Sequence, residues 1–195
     1  MTNYLYYPKL LFKQIFYPRK ETAICITDVG WKLTLPKKFQ LLSHKQLVKL
    51  GKRGERMFEM IIQKKVQYPG RRIMFMAHYE IQNKFTCSIA KLDELSVDEW
   101  KNQNDDLYNT LLKIYHHTYK NYAHVNITNE SGARQKGDII FNTLDVIAST
   151  PTRELYRTRL YSTIHKGFGL HITMAFAEAH IGEEMLNILR NSTFE

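Results

Sequence analysis

Strict alternation of apolar and polar side chains marks several short segments of the chain as strands. In Trp31–Leu35 and Phe85–Ile89 every second residue is apolar, which is the pattern of a strand with one buried face. Similar apolar segments precede them at 22–29 and 71–81, each separated from its partner by a short turn sequence. The pattern predicts two β-hairpins, and the alternation in 170–176 predicts a further strand.

Helical periodicity combined with capping residues predicts about four helices. A helix over 43–65 begins with a serine in the N-cap position, and a long helix ending near residue 122 begins at Ser96. The Ser96 hydroxyl and the Glu99 carboxylate form the S-x-x-E pattern of a capping box. Thr150–Pro151 predicts the start of a third helix, and an amphipathic pattern predicts a fourth over 177–191.

The remaining segments are polar or ambiguous. Residues 123–128 predict a strand, 129–138 predict a polar loop that contains two glycines, and 139–149 are compatible with a strand or a helix. No linker rich in proline, glycine or serine divides the chain. The sequence therefore predicts an α+β fold over 1–195, one domain with a mostly antiparallel sheet packed by about four helices.

Charge is unevenly distributed along the chain and changes the functional expectation. The formal net charge is +9, and residues 1–72 hold 16 basic residues but only 4 acidic ones. A strongly basic segment of this kind is typical of proteins whose partner is a polyanion. The alternative is a merely soluble basic protein with a solvated charged surface.

Within the predicted helix over 43–65, four basic residues lie on one side and two more flank them. A row of cations on a helix face neutralises evenly spaced phosphates, and nearby aromatic rings offer stacking surfaces for unpaired bases. The sequence predicts binding of RNA or single-stranded DNA through this row and the basic residues after it. The predicted contacts are Lys45, Lys49, Lys52, Arg53, Arg56, Lys64, Arg71 and Arg72.

Two later segments extend the predicted nucleic-acid surface. Arg134 and Lys136 lie in the predicted glycine-containing loop, where exposed backbone N–H groups could also meet a phosphate. Arg153 and Arg157 lie one turn apart if 150–164 is helical, close enough to hold one phosphate together. The alternatives are a surface loop without function and ion pairs with neighbouring acids such as Glu154.

His171 and Thr173 suggest a second function. In a strand they share a face, and this His-x-Thr pattern resembles one half of the 2H phosphoesterase motif. That resemblance implies phosphodiester cleavage with His171 as acid or base, and it requires a second His-x-Thr strand facing the first. The other literal match, at 116–118, falls in a predicted helix.

A third interpretation is a non-enzymatic interaction protein whose partner is an acidic protein. No cofactor or metal site is predicted, because the chain has no cysteine cluster and no H-E-x-x-H order. No segment approaches the length and hydrophobicity of a membrane span, and the N-terminus lacks the features of a signal peptide. Cys25 and Cys87 are expected as free thiols, with a disulfide between them as the alternative, and together these features predict a cytoplasmic protein.

Overall fold

The computed structural model describes residues 21–49, 71–92 and 96–195. The strands in these ranges are β1 (Thr22–Ile26), β2 (Trp31–Leu35), β3 (Gln40–Leu41), β4 (Arg71–Tyr79), β5 (Asn83–Lys91), β6 (Asn126–Lys136), β7 (Ile139–Ser149), β8 (Glu154–His165), β9 (Phe168–Phe176) and β10 (Thr193–Phe194). The helical segments are a 3-10 turn at Thr27–Val29, α1 described over 44–49, α2 (Val97–Tyr119) and α3 (Ala179–Asn191).

The strands form a large and a small antiparallel sheet. The large sheet has seven strands in the order β3-β4-β5-β9-β8-β7-β6, and the small sheet has three in the order β1-β2-β10. The predicted hairpins β1–β2 and β4–β5 are confirmed by their registers, Ile24↔Leu33 and Ala77↔Phe85. Gly30 closes the first hairpin with a φ of 62°, a backbone conformation that side chains with a Cβ rarely adopt.

One face of the large sheet, the α3 face, packs against α3 and the small sheet. The small sheet contributes Trp31, and the large sheet contributes Phe75 and Phe85, whose rings lie 6.0 and 6.4 Å from the Trp31 ring. Helix α3 buries Ile181 and Met185 completely in the same cluster. These contacts form the main hydrophobic core, which lies beneath β4, β5 and β9 and extends to Tyr161 of β8 and to Ile139 and Phe141 of β7.

The opposite face of the large sheet, the α2 face, is covered by α2. The predicted capping box is confirmed, because the Ser96 hydroxyl accepts from the Glu99 N–H and the Glu99 carboxylate accepts from the Ser96 N–H. Trp100 anchors the start of the helix directly over Gly169 of β9, where a Cβ would come within 2.6 Å of the indole ring. Tyr115 anchors the other end and donates to or accepts from the Thr158 hydroxyl at 2.9 Å.

The predicted fold class is wrong, because the described residues are mostly β-structure and not a sheet packed by about four helices. The predicted helix after Thr150–Pro151 is instead strand β8. Leu160 and Ser162 face α2, whereas Arg159 and Tyr161 point to the α3 face, so the segment follows a period of two. The predicted loop over 129–138 also lies mostly in a strand, β6. Among the described helices, none is long and apolar enough to cross a membrane.

Candidate interaction site at the outer edge of the large sheet

The predicted basic helix is described only at its start. Ser43 caps α1, with its hydroxyl accepting from the Gln46 N–H at 3.4 Å, and both Lys45 and Lys49 are exposed. Four predicted contacts lie outside the described residues, namely Lys52, Arg53, Arg56 and Lys64.

Arg71 and Arg72 do not form a shared basic surface, because neighbouring residues of a strand point to opposite faces. The Arg71 guanidinium lies on the α2 face, 5.6 Å from the centre of the Trp100 ring, and is half-buried there. Arg72 points to the other face and forms an ion pair of 3.0 Å with Asp28. Each of these side chains therefore belongs to a different internal contact.

Arg157 belongs to an ion-pair cluster on the α3 face, and Arg153 precedes the strand in the turn. Asp145 of β7 is only 8% exposed. Its carboxylate accepts from the Nε and Nη2 groups of Arg159, at 2.7 and 2.6 Å, and from Arg157 at 3.0 Å. Arg157 also forms a bidentate pair with Glu154. Hydrogen bonding to Asp145 raises the pKa of Arg159. Both guanidinium groups are thus neutralised within the fold, which is the alternative that the sequence left open for Arg157.

Arg134 and Lys136 lie on β6, on the same face of that strand. The Lys136 ammonium donates to the Arg190 carbonyl at 2.7 Å, and partial burial lowers its pKa. Arg134 is exposed, with no hydrogen bond or ion pair to any other described residue. Of the two predicted phosphate contacts in this segment, only Arg134 keeps an unpaired charge.

His171 lies beneath α2 and has no route to a substrate. Its side chain is 3% exposed, its ring lies 4.3 Å from that of Trp100, and its Nε2 is hydrogen-bonded to Asn104. Burial, with the Arg71 charge nearby, lowers the pKa of His171 well below its ordinary value of 6.5. Thr173 shares the face, but the residues across from this pair are serine, threonine and leucine. The 2H alternative is therefore wrong, since no described strand supplies a second His-x-Thr.

No group of three or more potential metal ligands occurs in the described part of the chain. His180 lies 3.6 Å from Glu178, and the Glu184 carboxylate accepts from Lys38. Both cysteines are free thiols; Cys25 is exposed and Cys87 is buried, which raises the pKa of Cys87.

A groove of about 700 Å³ lies between the small sheet and α3. It is open and lined by a mixture of aliphatic, amide and hydroxyl side chains. The charged groups at its rim are already neutralised, because Lys32 pairs with Glu195 at 2.6 Å and Glu184 pairs with Lys38. The charges that line the groove, Lys32 and Glu184, are thus both in ion pairs with neighbouring side chains.

The outer edge of β6, here called the β6 edge, is different in that its main-chain groups have no partner among the described residues. Strand β6 pairs with β7 over eleven consecutive residues without a bulge, and no other described strand pairs with it. The two-residue loop Gly137–Asp138 makes Lys136↔Ile139 a hydrogen-bonded pair. The even-numbered residues of β6 therefore bond to β7, and the odd-numbered residues from 127 to 135 direct their N–H and C=O groups outward.

A cleft of about 160 Å³ lies beside this edge on the α3 face. It is lined by Glu130, Ser131, Gly132, Ala133, Arg134, Thr143, Asp145, Arg159 and Tyr161. At Gly132 an added Cβ would meet only the Thr143 hydroxyl, at 3.5 Å, so the glycine leaves the middle of the edge without a side chain. Glu130 and Arg134 flank this gap, and neither forms an ion pair with another described residue.

The sequence reasoning missed this edge because β6 has no apolar alternation. Its side chains are almost all exposed, so the period-two signal of a buried face is absent. Two features could have indicated the strand. The run of 139–149 is long and apolar enough for a buried strand, and Gly137–Asp138 is a two-residue hairpin loop that would place the preceding residues beside it.

No protein-family model matches the chain, and no curated protein matches its sequence. Its fold is similar to the solution structure of cyanobacterial PsbP (CyanoP) from Synechocystis sp. PCC 6803. The TM-score is 0.51 at 10% identity, over 93% of this chain and 95% of that one. A crystal structure of a Bacteroides thetaiotaomicron protein matches with a TM-score of 0.42 at 9% identity, over 92% of this chain and 49% of the other.

The first of these likenesses shows a PsbP-type fold, and the prediction of nucleic-acid binding is wrong. The basic residues that the structure describes are divided among α1, both faces of the large sheet and the edge strand, so they form no continuous surface. Arg72, Lys136 and Arg157 are engaged in contacts within the fold. Within the part of the chain that the structure describes, the basic side chains therefore do not form one phosphate-binding row.

Proposed function

We propose that the protein is a docking module that binds an extended polypeptide segment by adding it as a strand along the β6 edge. One observation carries the proposal: an eleven-residue strand whose outward main-chain groups are unpaired by any described strand. Natural edge strands are commonly protected by proline, bulges, short length or charged side chains, and of these features β6 has only the charged side chains Glu130, Arg134 and Lys136. Such an edge is a template for strand addition.

Side-chain charge narrows the segment that this edge would accept. Arg134 and Glu130 lie on the same face of β6, four residues apart, and neither forms an ion pair with another described residue. The added segment therefore needs a carboxylate opposite Arg134 and a cation opposite Glu130. The overall charge of the chain suggests an acidic protein partner. At this edge the requirement becomes more specific, namely one acidic residue of the partner opposite Arg134.

The test is photo-crosslinking in cells that produce the full chain. A photoreactive amino acid at Ser131 or Ala133 lies at the β6 edge, and the same group at Asn142 of the neighbouring strand β7 is the control. We expect adducts from both edge positions, with the crosslinked residues mapping by mass spectrometry to one extended segment. Adducts of equal yield from Asn142 would contradict the proposal.

A proline substitution separates main-chain pairing from adventitious contact. The Ser131 N–H points away from β7, so Ser131→Pro removes an outward donor while leaving the β6–β7 hydrogen bonds in place. We expect this variant to keep its circular dichroism spectrum and to lose the adducts at Ala133. Adducts that persist in the folded proline variant would show that no strand is added.

A cytoplasmic location is also a proposal. It is supported by the two cysteines, which remain free thiols in the structure, as is usual in reducing compartments. Imaging of a fluorescent fusion at either end of the chain would test it, and a signal confined to another compartment would contradict it.

A further inference from the structure

We infer that the segment added to the β6 edge is β6 of a second copy of this chain, running antiparallel across a two-fold axis at Gly132. This inference rests on the proposed function and names its partner. It would join two seven-stranded sheets into one continuous sheet.

The hydrogen-bond pattern of β6 allows this register. The outward groups belong to odd-numbered residues, and a two-fold axis at Gly132 places Ser131 opposite Ala133 of the other copy and Asn129 opposite Gln135. All four residues direct their main-chain groups outward, so these positions form the hydrogen-bonded pairs of the new ladder. Gly132 then faces Gly132 in a pair without hydrogen bonds, where side chains approach more closely and none is present.

Charge complementarity selects this register among those that the ladder allows. With the axis at Gly132, Glu130 of each copy lies opposite Arg134 of the other, which gives two equivalent ion pairs. Within one chain the two side chains are about 13 Å apart along the strand and cannot pair. A shift of the axis by two residues toward the N-terminus places Glu130 opposite itself, and the same shift toward the C-terminus places Arg134 opposite itself.

Intermediate registers are less favourable. With the axis at Ser131, Glu130 faces Gly132, so neither charge gains a partner. With the axis at Ala133, Glu130 faces Lys136, but the Lys136 ammonium already donates to the Arg190 carbonyl. Only the axis at Gly132 satisfies both unpaired charges at once without breaking a contact within the monomer.

The experiment is sedimentation equilibrium of the purified full chain and of charge-reversed variants. We expect the wild type to form dimers and Glu130→Arg and Arg134→Glu each to weaken the dimer roughly tenfold or more, because each places two like-charge pairs across the axis. Mixing the two variants places arginine opposite glutamate at both positions, so a heterodimer should form. Glu130→Arg combined with Arg134→Glu in one chain should restore the homodimer.

Lys136→Gln is the matched control, since Lys136 faces Thr128 in this register and its loss should leave the dimer constant nearly unchanged. A wild type that stays monomeric at all concentrations, or a mixture of the two charge variants that does not dimerise, would overturn the inference. If the chain is monomeric while edge crosslinks to a different protein disappear in Ser131→Pro, strand addition survives and only the identity of the partner is wrong. Dimers that persist in Ser131→Pro and in both charge variants would overturn the inference, because the two copies would then associate through another surface.

Discussion

Strands β9 and β6 belong to the same sheet and are formed for different reasons. In β9 nearly every side chain is buried, on the α3 face by the main core and on the α2 face by Trp100 and its neighbours. In β6 nearly every side chain is exposed, and the strand exists because it pairs with β7 along its whole length. Burial therefore stabilises one strand and main-chain pairing the other.

The difference indicates where the molecule tolerates change. Removing atoms from a strand buried on both faces leaves a cavity, whereas an exposed edge strand loses little when a side chain is shortened. Side chains at the β6 edge can therefore be specialised for binding with little loss of folding stability.

Shortening a buried side chain of β9 should lower the free energy of unfolding more than any other change considered below. Ile172 of β9 is fully buried in the main core, so Ile172→Ala should lower the free energy of unfolding by about 3 kcal/mol. Asn129→Ala in β6 is the control and should change it by less than about 0.5 kcal/mol. Urea denaturation of both variants measures the difference. Similar losses at the two sites would contradict a division between burial and pairing.

The ion-pair cluster lies between these two regions and should have an intermediate effect. Asp145→Asn leaves Arg157 and Arg159 partly buried with a weaker acceptor, and we expect a loss of about 2 kcal/mol. Glu154→Gln removes a more exposed carboxylate from the same cluster and should cost less than about 1 kcal/mol. The ranking would be wrong if thermal unfolding showed the Glu154 variant to be the less stable one.

Two glycines allow the buried strand β9 and the exposed strand β6 to be compared by the same substitution, glycine to alanine, which adds one methyl group. Gly169→Ala in β9 directs a Cβ into the Trp100 ring at 2.6 Å, and we expect a loss of about 2 kcal/mol. Gly132→Ala in β6 meets only a hydroxyl at 3.5 Å and should be neutral to within about 0.5 kcal/mol. Equal effects in chemical denaturation would mean that α2 does not pack on β9 as described.

The smallest expected effect is a dependence of stability on pH to which the buried His171 of β9 contributes, and His165 of β8, whose pKa is lowered by burial and by the Lys166 charge, acts in the same direction. Because the pKa of His171 lies well below 6.5 in the folded chain, the unfolded chain binds a proton first as the pH falls. Stability should therefore decrease below pH 6.5, by about 1.4 kcal/mol at pH 5.5. His171→Gln should flatten this slope, and His116→Gln on the exposed side of α2 should not. An unchanged slope in the His171 variant would contradict the assignment.

The elements that sequence could predict are those in which burial and local capping agree. The hairpins β1–β2 and β4–β5 show one-sided alternation, and Ser96 with Glu99 specifies the start of α2. Strand β8 was read as a helix because Tyr156, Leu160 and Ile164 recur every four residues, a spacing that also keeps them on one face of a strand. When every fourth residue is apolar, periodicity alone cannot distinguish a helix from a strand.

The candidate site was less predictable than the fold. Arg134 was singled out from sequence, but as a phosphate contact in a loop, and Glu130 was not singled out at all. Arg134 and Glu130 lie on the same face of an edge strand only because β6 pairs with β7. The side chains of a polar, exposed strand give no sign of that pairing in the sequence. Likewise, the burial of His171 depends on α2, which is about 70 residues away in sequence, as its contact with Asn104 shows.

The order of strands in the large sheet has a consequence for how the chain folds. From β6 to β9 each strand pairs with its neighbour in sequence, so this meander can zip together through short loops. Joining β5 to β9 instead closes a long loop that contains α2 and strands β6 to β8, and for a flexible loop of that length the entropic cost is roughly 4 kcal/mol. We expect that seam to form late, so the transition state for folding should contain the β6–β9 meander with the β5–β9 contact still incomplete.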